Sequence, residues 1–503
     1  MDTVQIAFAH ALRALAVAIF VMRCHGAAAG ETTVAPADLP SVGTIDERFQ
    51  SFNIEMVEVT GGPFWRPYAI PDSVAKAGKT DLLSDRSPID LTNPLLRKLA
   101  SALSPAYLRV SGTAANSTFF AGSDSAPPPV PAGYKGVLTR RRWHDVIDFS
   151  NAIDAPIVTS FAISPGTRDA KGRWKPDQAR DIISATRAAG GRVAAVEFMN
   201  EPDLPAIGGA PAGYGASAFA ADFAMFHAFM KQAAGDVTIL GPGTMGRSSE
   251  AADLFLAAAP RIDAVSYHYY GALSERCASR QTADAALSED WLSRTGQAFT
   301  FYRGLRDRAA PDKPIWLTET AEAACGGDQW SSTFLDTFRY LDQLGRLAKA
   351  GVQVVMHNTL VGSDYGLLAE ATFAPRPNYW AALLWRRLMG SVVLDSGVPI
   401  QQGLHVYAHC QRRVRGGVVL LVINNDPQNL HELNLPASSM RFTLDAATLQ
   451  DTTVRLNGAV LRTQDVDRLP KLAGLPASRG SISFAPATIT FVVIAGAGNR
   501  SCS

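Results

Sequence analysis

The chain has 503 residues, 47% hydrophobic and 18% charged, enough to bury one large core or two smaller ones. Its formal net charge of +1 excludes the basic field of a dedicated nucleic-acid binder and offers no long-range attraction to a polyanion. The N-terminus reads as a secretory leader: Arg13 in a weakly basic stretch, an apolar run at 14–22, then Ala27-Ala28-Ala29-Gly30 as a small-residue cleavage site. Residues 1–29 are therefore expected to be a signal peptide, and the protein to be secreted or periplasmic. That apolar run is too short to span a bilayer and no later run of twenty apolar residues appears, so no stable membrane insertion is expected.

From 45 to 394, short apolar runs alternate with longer amphipathic stretches. Candidate strands fall at 49–56, 107–113, 156–163, 193–201, 238–244, 264–270, 314–320 and 354–359, with helical stretches between them, such as 216–234 and 333–350. Eight strands separated by helices predict an α/β fold, a (β/α)8 TIM barrel. An open doubly wound sheet is the alternative, but no phosphate fingerprint accompanies it: Gly241-Pro242-Gly243 lacks the third glycine, and its proline removes a backbone donor. The Pro-rich stretch 125–131 reads as a stiff loop within the barrel region. After residue 394 the pattern changes to short runs at 405–409, 418–423, 441–444, 453–456 and 488–494, nearly without helical periodicity. Residues 395–503 are therefore expected to form an antiparallel β-sandwich, with 30–40 as a candidate added strand.

Of five cysteines, Cys24 leaves with the leader. Cys277, Cys325, Cys410 and Cys502 remain and allow three pairings. Cys277 and Cys325 each follow a strand end and can meet at one rim, while Cys410 and Cys502 share the C-terminal region. No cysteine or histidine spacing calls for a metal, and no cofactor is expected. The sequons at Asn116 and Asn499 bear on the surface only where the host glycosylates. The basic runs Arg140-Arg141-Arg142 and Arg412-Arg413-Val414-Arg415 read as solvated faces.

The chemistry concentrates at two strand ends. The run 193–202 ends in Asn200-Glu201-Pro202, and the run 314–320 carries Glu319. Parallel barrel strands end on one face, so both carboxylates converge there. Two such acids form the acid/base and nucleophile pair of glycosidic cleavage. Either acid alone reads first as a surface salt-bridge partner or a helix N-cap. Asn200 can donate to a sugar hydroxyl. The run Tyr267-His268-Tyr269-Tyr270 supplies a phenol to stabilise a carboxylate, with Tyr267 and Tyr270 read as aromatic packing. Trp143, Trp174, Trp330 and Trp380 are candidate sugar platforms, although most tryptophans are simply packed.

Together these residues resemble the heparanase and β-glucuronidase family of retaining glycoside hydrolases, over about residues 45–502. The resemblance rests on LSPAYLRVSGT (103–113), EFMNEP (197–202), YHYY (267–270), IWLTET (315–320) followed by Gly326-Gly327, NYW (378–380), HVYAHC (405–410) and VRLNGAVL (454–461). It implies Glu201 as acid/base, Glu319 as nucleophile, Tyr269 as the phenol bonded to that nucleophile and Asn200 as a substrate ligand. It implies that backbone amides around Gly326 and Gly327 receive a uronate carboxylate, where glycine lets the backbone approach an anion. Tyr365 is the candidate for a tyrosine touching the same carboxylate, and Thr113 matches a sugar-contacting threonine. A Cys410–Cys502 disulfide is implied as well. Several positions depart from the family pattern. Ser111-Gly112-Thr113 replaces Gly-Gly-Thr, Glu55 replaces a shorter aspartate contact, and Asn358 stands where the animal members have glutamine. The lysine-rich heparan-binding segments and the excised linker of those members have no evident counterpart. The expectation is one unprocessed, monomeric chain that cleaves β-linked glucuronate from uronic-acid-containing oligo- or polysaccharides. Endo-cleavage of heparan sulfate, a catalytically inactive carbohydrate-binding scaffold and a neutral-sugar glycosidase are the alternatives.

Overall fold

The computed structural model describes residues 32–68, 82–123, 129–277, 281–463 and 468–503. The expected signal peptide and part of the Pro-rich loop lie outside the described residues. Eight parallel strands close into a barrel: β1 (Gln50–Glu55), β2 (Leu108–Ser111), β3 (Ile157–Thr159), β4 (Val193–Glu197), β5 (Thr238–Thr244), β6 (Ala264–Leu273), β7 (Ile315–Ala324) and β8 (Val354–His357). They coincide with the eight runs read from the sequence, trimmed at most ends. Helices return the chain between strands, and several start on side-chain caps, as where Ser288 Oγ accepts from Trp291 N at 3.2 Å.

The barrel interior is layered. Val158, Ala195, Leu240, Ala264, Trp316, Val354 and Met356 form a separate apolar plug. Next to it in register, Arg109 pairs with Val158 across β2 and β3. The interior thus changes from apolar to ionic toward the strand C-terminal ends, where barrel sites form.

The C-terminal region builds an antiparallel nine-stranded sheet that also recruits Ser41–Thr44 from before the barrel. Met389–Leu394 belongs to this sheet, which begins ahead of the expected boundary at 394/395. The expected sandwich is lopsided: among the described residues only His431–Leu435 and Gly480–Phe484 form the second sheet. Of the expected added strand at 30–40, the described residues 32–40 form an isolated bridge from Thr33 to Asn434 and a 3-10 turn at Pro36–Asp38, but no strand. The strand Val418–Asn424 is buried along its whole length. Its Val419, Leu421 and Ile423 join the core shared with the barrel, while Val418, Leu420 and Val422 pack on Leu433, Leu435, Ile482 and Phe484. Cover on both faces explains its unbroken apolar sequence.

Disulfides join Cys277 to Cys325 and Cys410 to Cys502. Asn116 is 0% and Asn499 3% exposed, so the fold closes both sequons. No helix among the described residues is long and apolar enough to cross a membrane.

Candidate active site

Glu201 lies just past β4 with φ +47°, a left-handed backbone unusual for a non-glycine residue. Its neighbour explains how that turn is held. Asn116 clamps the Asn200 backbone on both sides, accepting from Asn200 N at 2.8 Å and donating to Asn200 O at 2.8 Å. Glu319 sits in β7 at a register irregularity that appears in the pairing with both β6 and β8. Such a bulge re-aims side chains. Here it turns two consecutive residues toward the same interior: Thr318 Oγ1 donates to Glu197 Oε1 at 2.8 Å, and Glu319 faces the site.

Arg109 ties these strands together. Fully buried, it donates to Glu197 Oε2 at 3.0 and 2.9 Å, to Glu319 Oε2 at 2.8 Å and to Asn200 Oδ1 at 2.8 Å. His268 bridges the two strand-end acids, with Nδ1 3.1 Å from Glu201 Oε1 and 3.7 Å from Glu319 Oε2. An oxygen of Glu201, an oxygen of Glu319 and a His268 nitrogen all lie within 4.8 Å of one another. This trio has the donor set of a cation site, yet Arg109 already places a positive charge against Glu319.

The two acids are pushed apart electrically. Burial raises the pKa of Glu201, Glu319 adds to that rise, and the hydrogen bond to His268 only partly offsets it. Burial pushes Glu319 the same way, but His268, Arg109 and the Tyr270 hydroxyl outweigh it and hold this carboxyl below its ordinary value. Glu197 is likewise held low, because Arg109 and His268 outweigh burial. The two acids' pKa values are thus displaced in opposite directions, as an acid and a nucleophile require.

The phenol on Glu319 is Tyr270, whose hydroxyl donates to Oε1 at 2.6 Å. It is not Tyr269, which the sequence reading assigns to that role. Alternation along β6 gives the reason. His268 and Tyr270 face the interior, whereas Tyr267 stacks on Tyr302 outside at 4.6 Å and Tyr269 senses the outer Arg339 and Arg294. The reading of Tyr270 as packing is corrected by the same contact.

The remaining candidates sit around this core. Asn358 Nδ2 donates to Glu55 Oε1 at 3.0 Å and to the Tyr270 hydroxyl at 2.9 Å, and lies 3.5 Å from the Tyr365 hydroxyl. Its Oδ1 is buried and has no partner among the described residues. Glu55 is raised well above the usual carboxyl range by burial and by Glu319. Thr113 is exposed, just past the end of β2. Gly326 and Gly327 follow β7 with φ +85° and +82°, and a Cβ on Gly327 would lie 3.4 Å from Tyr365 Cβ. Their N–H groups have no acceptor among the described residues. The four candidate tryptophans are at most 6% exposed and serve packing. Arg276 is a salt-bridge partner, 3.2 Å from Asp364 and 3.8 Å above the Tyr68 ring. Sequence reasoning missed Arg109, Glu197 and His268 as site groups. Their signal was a charged or titratable residue inside an otherwise apolar strand.

A barrel with two buried carboxylates facing one interior, their pKa values displaced in opposite directions, has the architecture of a glycoside hydrolase. Known proteins agree. Residues 83–345 match the N-terminal domain of glycosyl hydrolase family 79, and the chain belongs to this family. It is 29% identical over 361 residues to Heparanase-like protein 1 of Arabidopsis thaliana, covering 68% of this chain and 66% of that protein, just under two thirds of its length. It is 24% identical over 511 residues to baicalin-beta-D-glucuronidase of Scutellaria baicalensis, covering 93% of each. The crystal structure of a 4-O-alpha-L-rhamnosyl-beta-D-glucuronidase from Fusarium oxysporum superposes with a TM-score of 0.63 at 14% identity, over 92% of this chain and 100% of that one. That likeness confirms the barrel and its appended sheet.

Proposed function

We propose that this glycoside hydrolase is an exported, retaining β-glucuronidase acting on glucuronides or uronic-acid-containing glycans. The observation that carries the reading is the Glu201–Glu319 pair, with oxygens within 4.8 Å of each other and pKa values displaced in opposite directions. Retaining enzymes hold their carboxyls about 5–5.5 Å apart, while inverting enzymes leave about 6.5–9.5 Å for a water. The short gap supports direct attack.

In this mechanism Glu319 attacks the anomeric carbon while Glu201 gives its proton to the leaving oxygen. Water, deprotonated by Glu201, then cleaves the glycosyl–Glu319 ester. Tyr270 keeps its proton, because burial and Glu319 raise it well above the ordinary phenol value, so it remains a donor to Glu319 before attack. The unpaired Asn358 Oδ1 is available to a sugar hydroxyl. The N–H groups of Gly326 and Gly327, which have no acceptor among the described residues, support recognition of a carboxylate on the sugar. Two disulfides support export, since they persist in oxidising compartments.

Two arginines near this rim are already engaged, Arg276 by Asp364 and Arg86 by Glu58 and Glu370. That engagement favours glucuronides or lightly sulfated glycans over a heavily sulfated chain. The test is turnover of an aryl β-glucuronide with the first-formed sugar anomer followed by NMR. The β anomer is expected, and an α anomer would exclude the retaining route. Glu319→Gln and Glu201→Gln should each lower kcat by at least about 10³-fold. Normal turnover by Glu319→Gln would remove its assignment as nucleophile.

A further inference from the structure

The loop holding Gly326 and Gly327 is fastened to its neighbours at more points than loop closure requires. Cys325, immediately before the glycines, is bonded to Cys277, which lies beyond the end of β6. Between those cysteines the two strand extensions zip together. Ser274 N donates to Ala324 O at 3.1 Å, Ser274 Oγ approaches Cys325 O at 3.4 Å, and Glu275 N donates to Asp328 Oδ1 at 2.7 Å. On the far side Gly326 O accepts from Asp364 N at 3.2 Å and from Ser363 Oγ at 2.9 Å. Arg276 closes the circuit by pairing with Asp364, the same residue that holds Gly326. Three consecutive residues, Cys325 to Gly327, have φ between +64° and +85°, which glycine adopts freely and Cys325 only at a cost. The backbone is therefore tied on both sides, while its two buried N–H groups have no acceptor among the described residues.

We propose that the Cys277–Cys325 disulfide and the Arg276–Asp364 pair are positioning elements that pre-form a carboxylate-binding subsite at the Gly326 and Gly327 amides. This rests on the uronide reading above. The clasp touches neither Glu201 nor Glu319, so its effect falls on ground-state binding of the charged sugar and not on bond cleavage. Pre-organised donors bind an anion without an ordering cost at the moment of binding.

The experiment compares the folded full-length chain with Cys277→Ser/Cys325→Ser on aryl β-glucuronide and aryl β-glucoside. The expected result is a KM for the glucuronide raised about tenfold, kcat within about twofold, and a glucuronide-to-glucoside selectivity lowered by the same factor. Should the double variant fail to fold, Arg276→Met keeps the disulfide and the stem over Tyr68 and should raise the same KM about threefold, with Arg276→Lys restoring it. An unchanged KM and selectivity in variants that fold would overturn the clasp while leaving the uronide reading intact. A wild-type enzyme that prefers the glucoside would overturn the uronide reading, and the clasp with it.

Discussion

At the scale of single residues the site works by setting two identical side chains against each other. The carboxyl of Glu319 is held below its ordinary value by His268, Arg109 and Tyr270, and that of Glu201 is raised above its own because burial and Glu319 outweigh its bond to His268. Activity should therefore follow a bell in pH. On the acid side it should rise as pH passes the lowered pKa of Glu319, below the ordinary 4.5, and on the alkaline side fall as pH passes the raised pKa of Glu201. Tyr270→Phe removes one of the bonds that hold Glu319 low, so the acid limb of kcat/KM should move to higher pH while the alkaline limb moves little. An acid limb unchanged in that variant would show that the phenol does not tune Glu319. The two acids were legible because Glu201 and Glu319 each follow an apolar run, although β7 continues past Glu319 to Ala324. The choice between Tyr269 and Tyr270 was open to strand alternation, since His268 and Tyr270 share a parity. Arg109 and Glu197 were harder to read, because each satisfies the other inside the barrel and a lone charge in an apolar run does not name its partner.

At the scale of elements all eight barrel strands were readable, because each is a short apolar run bounded by turn residues. The bulge in β7 was not readable. A period-two pattern places Thr318 and Glu319 on opposite faces, and only the irregular pairing with β6 and β8 turns both inward. The sheet strands Met389–Leu394 and His431–Leu435 were missed, the first because it continues directly from the helix Pro377–Leu388, the second because it pairs with the distant Gly480–Phe484. The end of β2 gives this scale its own prediction. Gly112 follows the strand with φ +90°, and a Cβ there would lie 1.4 Å from Glu55 Oε2. Glu55, longer than the usual aspartate, fits because this position is glycine. Gly112→Ala should displace Glu55 from Asn358 and reduce kcat/KM by about tenfold or more, with far-UV circular dichroism unchanged. If the variant folded and kept full activity, Glu55 would not belong to the substrate-facing wall.

At the scale of the molecule the barrel and the sheet share one apolar core, and a buried ionic cluster registers them against each other. His405 of the sheet lies 2.6 Å from Asp342 Oδ1 on the helix Phe334–Lys349 and also contacts Glu289 at the start of the helix Glu289–Ala309. Tyr407 donates to Asp342 Oδ1 at 2.5 Å, and Arg346 joins Asp342 to Glu289 at 2.6 and 3.0 Å. Burial opposes the imidazolium, but Asp342 and Glu289 outweigh it and raise His405 from 6.5 to about 9. A base whose folded pKa exceeds its unfolded one stabilises fully below the unfolded value and loses that contribution as pH rises through the folded value. The interface should therefore weaken between pH 6.5 and about 9, by on the order of 3 kcal/mol from this group. Burying the pair without His405 leaves Asp342 short of a partner, so His405→Gln should be less stable than the parent at pH 6. Above pH 9 the two should converge, because the parent then holds a neutral imidazole in the same place. Urea midpoints at pH 6 and pH 9.5 measure this directly. Equal pH dependence in parent and variant would show that the cluster registers the two parts by shape and not by charge.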